Sequence, residues 1–297
     1  MRFLPLFVVW ALFIPLQSWS QSELTLSVDN DLYFATDYYY SSGLFISYSK
    51  EKEKDSSLST RNFSQWKLGQ LIYTPRKRYA TDIAELDYPF SGYLFIRYQK
   101  EKVVPSQRGL RYGMEIGVSG AASLAQPVQN VYHDWVLQLR RLSWTAEMPQ
   151  QLHLGVDVNY FKSVPLTKQL ALIPDGKAVL SSYKTMGAAR LGLLIGSTAQ
   201  MPFDFNPLLY AQKGWGIYIG WQQQYFLHDF PLEGGLFTNN EEFTLPSNQA
   251  RTIGEFGVVL HNETWRLQGV YFSTSKDTPG QKRNRHRYLN ISISRFF

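Results

Sequence analysis

Apolar and polar residues alternate along most of this chain in segments of about ten residues, the signature of strands with one apolar and one polar face. Leu110, Tyr112, Met114, Ile116 and Val118 share one parity; Arg111, Gly113, Glu115, Gly117 and Ser119 share the other. Leu152, Leu154, Val156, Val158 and Tyr160 repeat the pattern against His153, Gly155, Asp157 and Asn159. Trp215, Ile217, Ile219 and Trp221 do so again, with Trp at both ends, where the aromatic girdles of a membrane barrel fall. The opposite faces are rich in Gly and polar residues, which suits a narrow lumen. Strands are predicted at 23–34, 42–51, 63–73, 91–101, 109–119, 136–147, 152–163, 183–198, 213–227, 251–261, 264–274 and 286–297. An even number closes a barrel with both termini at one end. The expected fold class is therefore all-β, a transmembrane antiparallel β-barrel of about 12 strands. A soluble β-sandwich shares the alternation; the Trp/Tyr girdles and the last segment, ending on Phe297, favour the barrel.

The connections sharpen this. With a periplasmic N-terminus, those at 35–41, 74–90, 120–135, 164–182, 228–250 and 275–285 are expected outside the cell. Tight turns are expected at the other end at 148–151 and 262–263, whereas 52–61 and 199–212 are longer than barrels prefer there. Ahead of the barrel, Met1-Arg2 leads into an apolar run from Phe3 to Leu16 and then Ser18-Trp19-Ser20. A basic start, an apolar run too short to span a bilayer comfortably and small residues at its end predict a signal peptide over 1–20, cleaved after Ser20. Residues 21–297 then form one outer-membrane barrel domain.

Composition narrows the chemistry. Cysteine is absent, which excludes a disulfide scaffold, a thiol nucleophile and thiolate metal ligation. Aromatic residues are 15% of the chain, charged residues only 18%, and the net charge is +6. The positive balance suits phosphate-bearing or anionic partners.

One polar stretch interrupts the pattern. In Val28-Asp29-Asn30-Asp31-Leu32-Tyr33-Phe34 an Asn-Asp pair stands near the far end of the first strand, and Ser41 opens the second. Leu24, Leu26 and Val28 face outward, so Asn30 shares the lipid-side parity while Asp31 faces inward. Alternatively, the strand ends at Val28 and the pair is turn chemistry. The third outer connection adds Gln126-Pro127-Val128-Gln129-Asn130-Val131-Tyr132-His133. An imidazole works as a general base near neutral pH. Gln129, four residues before His133, would share its face on a helical turn and could orient the ring. Asp31 offers one carboxylate to a hard cation such as calcium.

Several elements occur together in a known order. They are Asn30-Asp31, Tyr40-Ser41-Ser42-Gly43, Ile72-Tyr73-Thr74-Pro75, Asp87-Tyr88-Pro89-Phe90-Ser91-Gly92-Tyr93, Ile116-Gly117-Val118-Ser119-Gly120, Gln126-x-x-Gln129-x-x-x-His133 and Trp135-x-x-Gln138. In these the chain resembles the LpxR-type outer-membrane lipid A 3′-O-deacylases, calcium-dependent twelve-stranded barrels. The resemblance covers roughly the first half of the mature chain. It implies His133 as the base that activates water, Gln129 as its support, and Asp31 as a calcium ligand. Asn30 would polarise the ester carbonyl or stabilise the oxyanion, and Ser41 matches a hydroxyl position that is usually Thr. Two departures stand out. The segment after His133 reads as running directly into Trp135 and a sixth strand, where the family has a longer helical stretch. Tyr88 also stands where Arg is usual.

Basic side chains at Arg76, Lys77 and Arg78, and again at Lys282, Arg283, Arg285 and Arg287, fall on the same predicted face and could pair with lipid A phosphates. The expected partners are lipid A or lipopolysaccharide and the outer membrane, with no nucleic acid. The expected state is a monomer integral to the outer membrane, its site facing the outer leaflet. The other readings are a calcium-dependent outer-membrane phospholipase and a non-catalytic barrel, such as a narrow pore, adhesin or assembly factor. No Gly-x-Ser-x-Gly nucleophile elbow is present.

Overall fold

In the computed structural model, described over residues 22–52, 60–197, 202–205, 208, 213–236 and 241–297, the alternating segments become strands of one closed sheet. They are β1 (Ser22–Asn30), β2 (Tyr39–Glu51), β3 (Arg61–Thr74), β4 (Ser91–Val104), β5 (Arg108–Ser119), β6 (Leu152–Lys162), the two-residue β7 (Val164–Pro165), β8 (Leu170–Ser181), β9 (Lys184–Gly196), β10 (Gly214–Asp229), β11 (Ala250–His261), β12 (Trp265–Ser275) and β13 (Arg285–Phe296). Neighbours pair antiparallel, β1 pairs with β13 (Leu26 opposite Ile293), and β6 pairs with β8. The result is a closed barrel of twelve strands with the short β7 added beside β8. Closure gives every wall strand a partner on both sides, so backbone polar groups need nothing from lipid. Ile96, Met114, Ile116, Leu154, Val156, Ile219, Trp221, Phe256 and Val258 stand exposed on the outer wall, as their parity requires.

Polar residues on the inner parity meet as paired charges. Arg190 reaches Asp175 (3.2 Å), Asp204 (2.8 Å) and Glu255 (3.5 Å), and Arg111 Nε donates to Glu101 at 2.7 Å. The connection 197–213 carries Phe203, Asp204 and Phe205 into the lumen. There Arg266 donates to the Phe203 carbonyl at 3.1 Å, and the Phe205 ring lies 4.4 Å from Phe161. That inward excursion explains why this connection is longer than a tight turn. At the other end the short helix over Phe230–Glu233 buries Phe230, Pro231 and Leu232.

The strand total agrees with expectation, but two segments exchange roles. Residues 136–147 are not a strand: Gln138, Trp144 and Ala146 adopt left-handed backbone angles (φ 53°, 55° and 53°) that extended alternation forbids. The segment lies over the barrel end, with Leu142, Trp144 and Ala146 buried. The missing strand is β8, which falls within the expected 164–182 connection; it contains Pro174-Asp175-Gly176, a sequence that favours turns. β8 pairs with β6 only from Asp175 onward, and with β7 at Leu172, so Pro174 sits where the neighbour changes. A residue without an N–H is tolerated there.

This moves the sixth strand's ends. Residues 120–151 are one long connection, so 148–151 is not a turn at the opposite end, and 163–169 lies at the end where β1 begins and β13 finishes. The loop-rich end gathers 31–38, 75–90, 120–151, 230–249 and 276–284. The first strand stops at Asn30 rather than continuing to 34. Residues 1–20, the expected signal peptide, lie outside the described residues.

Candidate active site

Where β1 ends, its last two polar residues diverge. Val28 is exposed on the outer wall, and Asn30 shares its parity. Asn30 Oδ1 accepts the Leu32 N–H at 2.7 Å, starting a single 3-10 turn over Leu32–Phe34 that Ala35 closes in the left-handed region. This Asx turn leaves the Asn30 amide nitrogen as a donor. Asp31 is fully buried. Its Oδ2 accepts the Tyr38 N–H at 3.1 Å, and its Oδ1 has no partner.

Ser41 owes its placement to an irregularity in β2. The β2–β3 register slips between Tyr40 and Ser42, so Ser41 is the extra residue of a bulge. Bulges re-aim the side chain they carry. Ser41 is buried, and its Oγ donates to Asp37 Oδ1 at 2.7 Å.

The third element is α1 (Ala125–Tyr132), which continues as one wider turn over His133–Leu137 and is capped by Gln138 in the left-handed region. The segment after His133 thus stays helical for another turn instead of entering a strand, which corrects the departure expected there. Gly92 on β4 lets the helix start close in, because a Cβ there would collide with Ser123 and Ala125. Ile72, Phe90, Ala125, Leu142 and Trp144 bury together beneath the helix, with Phe90 and Trp144 stacked at 5.3 Å.

Between this helix and the outer wall runs a cleft of about 970 Å³. Val28, Asn30, Ser41, Leu44 and Ile72 border it on the barrel side; Val128, Gln129, Val131, Tyr132, His133, Trp135 and Val136 border it on the helix side. Four of the residues singled out in the sequence therefore share one cavity: Asn30, Ser41, Gln129 and His133. Trp135 and Val136 remain 52% and 62% exposed, so the cleft's lip is apolar on the face that meets lipid.

His133 is 1% exposed. Its Nε2 lies 3.1 Å from Asp37 Oδ2, and its Nδ1 has no hydrogen-bond partner. Gln129 lies one helical turn earlier, as the spacing predicts, but its Oε1 accepts the Trp144 indole N–H at 2.9 Å. Asp37, which the sequence pattern does not single out, is the residue that holds the ring. Its carboxylate also ion-pairs with the Arg78 guanidinium. Burial works against the Asp37 carboxylate, but the bonds from His133 and Ser41 and the Arg78 charge hold its carboxyl below the usual carboxylate range. The only signal in the sequence was position, an acid four residues before Ser41 in Thr36-Asp37-Tyr38-Tyr39-Tyr40-Ser41.

Burial pushes the Asp31 carboxyl up to about 8, and the bonds it accepts offset this only in part. A buried carboxyl with one unpartnered oxygen fits a hard cation, which would displace its proton. Among the described residues no three His, Cys, Asp or Glu side chains cluster as a metal site, so a cation here would complete its shell with carbonyl and water oxygens.

The basic run divides. Arg78 enters the site and lies over the Tyr79 ring at 5.3 Å, Lys77 pairs with Glu85 at 3.3 Å on the surface, and the Arg76 side chain is exposed. Tyr88 is buried, its hydroxyl 3.3 Å from Asp277 Oδ2. His153 is enclosed by Ser119 (3.0 Å) and the Phe230 ring (4.5 Å), away from the cleft lining.

The family model of the outer-membrane protein LpxR matches residues 4–297. The chain belongs to the LpxR family. Among solved structures, LpxR from Salmonella typhimurium superposes with a TM-score of 0.77 at 18% identity, covering 93% of this chain and 100% of that one. More distant barrels include the β-domain of the Bordetella autotransporter BrkA (TM-score 0.48, 12% identity, 93% and 98% covered) and the Pseudomonas putida toluene transporter TodX (0.43, 11%, 96% and 91%). No curated protein matches the sequence. Family and closed barrel together make this LpxR-family chain an integral outer-membrane protein.

Proposed function

We propose that the protein is a lipid A 3′-O-deacylase, hydrolysing the ester that links an acyloxyacyl group to the 3′ position. The observation that carries this reading is the shared cleft. A buried imidazole with a bare Nδ1 and an amide donor line the same cavity, which opens to the lipid-facing side of the wall. An acyl chain can lie along Val28, Leu44, Val131 and Trp135 without entering the lumen.

The residues divide the chemistry between them. His133 Nδ1 takes a proton from water as the water oxygen bonds to the ester carbonyl carbon. The Asn30 amide donates to the oxygen on which charge grows, where preorganised donors act most strongly. Collapse of the tetrahedral intermediate breaks the bond to the 3′ oxygen, which recovers the proton from the ring. Ser41 is not the nucleophile, because its hydroxyl proton is committed to Asp37. Calcium, which Asp31 would hold with carbonyl and water oxygens, would supply positive charge to offset the negative charge growing on the ester oxygen. Arg76, exposed at the rim with Lys77 beside it, is suited to a lipid A phosphate, whereas Arg78 is held by Asp37. The outer leaflet is where this substrate lies, at the loop-rich end.

Lipid A and phospholipids from cells with the wild-type chain, with His133→Ala and without either, analysed by mass spectrometry, test this. Calcium-dependent loss of one 3′ acyloxyacyl unit only with the wild type is expected. Phospholipid turnover with unchanged lipid A would replace the reading with a phospholipase, and no hydrolysis of either with a non-catalytic barrel.

A further inference from the structure

We propose that Asp37 is a positioning residue for His133, fixing the ring in the tautomer that bears its proton on Nε2 and turning the bare Nδ1 to the reaction. The inference rests on the reading of His133 as the base. It deepens that reading by naming what orients the base, a task the spacing alone assigned to Gln129.

Three donors converge on the Asp37 carboxylate. His133 Nε2 lies 3.1 Å from Oδ2, Ser41 Oγ donates to Oδ1 at 2.7 Å, and Arg78 Nη1 shares Oδ2 with the ring. An ionised carboxylate only accepts, so the ring nitrogen facing it must carry a hydrogen. In a neutral imidazole the other nitrogen then holds the lone pair. That nitrogen is Nδ1, buried, unpartnered and on a ring that borders the cleft.

Gln129 is committed elsewhere, since its carbonyl oxygen already takes the Trp144 indole at 2.9 Å. The backbone of Asp37 is held as well, because Thr74 Oγ1 and Arg78 Nη1 donate to its carbonyl at 3.2 and 3.4 Å. When Nδ1 takes the proton of water, the imidazolium that forms stays bonded to a carboxylate already in place, so no group has to reorganise. Arg78 and Ser41 keep the carboxylate charged and its plane fixed. Asn at this position offers one acceptor oxygen to three donors, so it cannot hold all of them.

The test is the 15N spectrum of the histidine-labelled, folded barrel, with the His133 signals assigned by their loss in His133→Gln. At a pH where the ring is neutral, the wild type should show Nε2 protonated and Nδ1 bare. Asp37→Asn should lose that preference, lower kcat by at least about 100-fold and leave KM within about twofold, with Asp37→Glu recovering part of kcat. Migration of unheated samples on gels confirms that each variant is folded. If Asp37→Asn does not fold, the wild-type spectrum decides alone. A wild-type ring protonated on Nδ1, or an Asn variant that keeps kcat within about threefold, overturns the proposal. The expected tautomer in a barrel that leaves lipid A intact would support the Asp37–His133 assignment and remove the deacylase reading.

Discussion

At the scale of single residues, the site depends on polar atoms held where lipid would otherwise surround them. Asp31 is fully buried with one oxygen unpartnered, a state burial tolerates only if the carboxyl keeps its proton or meets a cation. Asp31→Ala should therefore abolish the response to calcium: activity falls by at least about tenfold, and added calcium does not restore it. A calcium titration identical to the wild type would remove Asp31 as the ligand. Asn30, Ser41, Gln129 and His133 were legible in the sequence as candidates because each sits in a short motif or at a helical spacing, although Gln129 bonds to Trp144 rather than to the His133 ring. Asp37 was not, since its role comes from contacts with His133 and Arg78, and these exist only once the three connections fold over the barrel end.

At the scale of elements, alternation located eleven of the twelve wall strands and misplaced one, for a physical reason in each direction. Trp135, Leu137 and Leu139 alternate as on a strand, but they serve a wide helical turn and the start of a loop packed on the barrel end. In β8 the Pro-Asp-Gly sequence imitates a turn, yet Asp175 faces inward to Arg190 and Pro174 falls at a change of neighbour. Local pattern cannot distinguish these cases, because the deciding partners lie in other strands. The helix α1 forms one wall of the cleft, and its Val131 is exposed along it. Val131→Asp places a charge where an acyl chain would lie. It should raise KM by about tenfold or more while leaving kcat within about threefold, read from initial rates on lipid A in detergent micelles. A kcat collapse with KM unchanged would place the acyl chain elsewhere.

At the scale of the whole molecule, the barrel wall rather than the lumen carries the proposed chemistry. Phe203–Phe205 fill part of the interior from the terminal end, and Phe230–Leu232 cover it from the loop-rich end, with Arg190 and its three acidic partners between strands. Planar bilayers containing the protein should show no steady single-channel conductance, whereas regular open steps would revive the pore reading. A lateral cleft at the loop-rich end suits a substrate that resides in the membrane and never leaves it. The most direct measurement is mass spectrometry of lipid A vesicles incubated with the purified barrel and calcium in 18O-labelled water. Expected are lipid A lacking its 3′ acyloxyacyl unit, a released acid carrying one labelled oxygen, and neither product with His133→Ala. Intact lipid A with the wild type, or equal loss with His133→Ala, would contradict the deacylase reading.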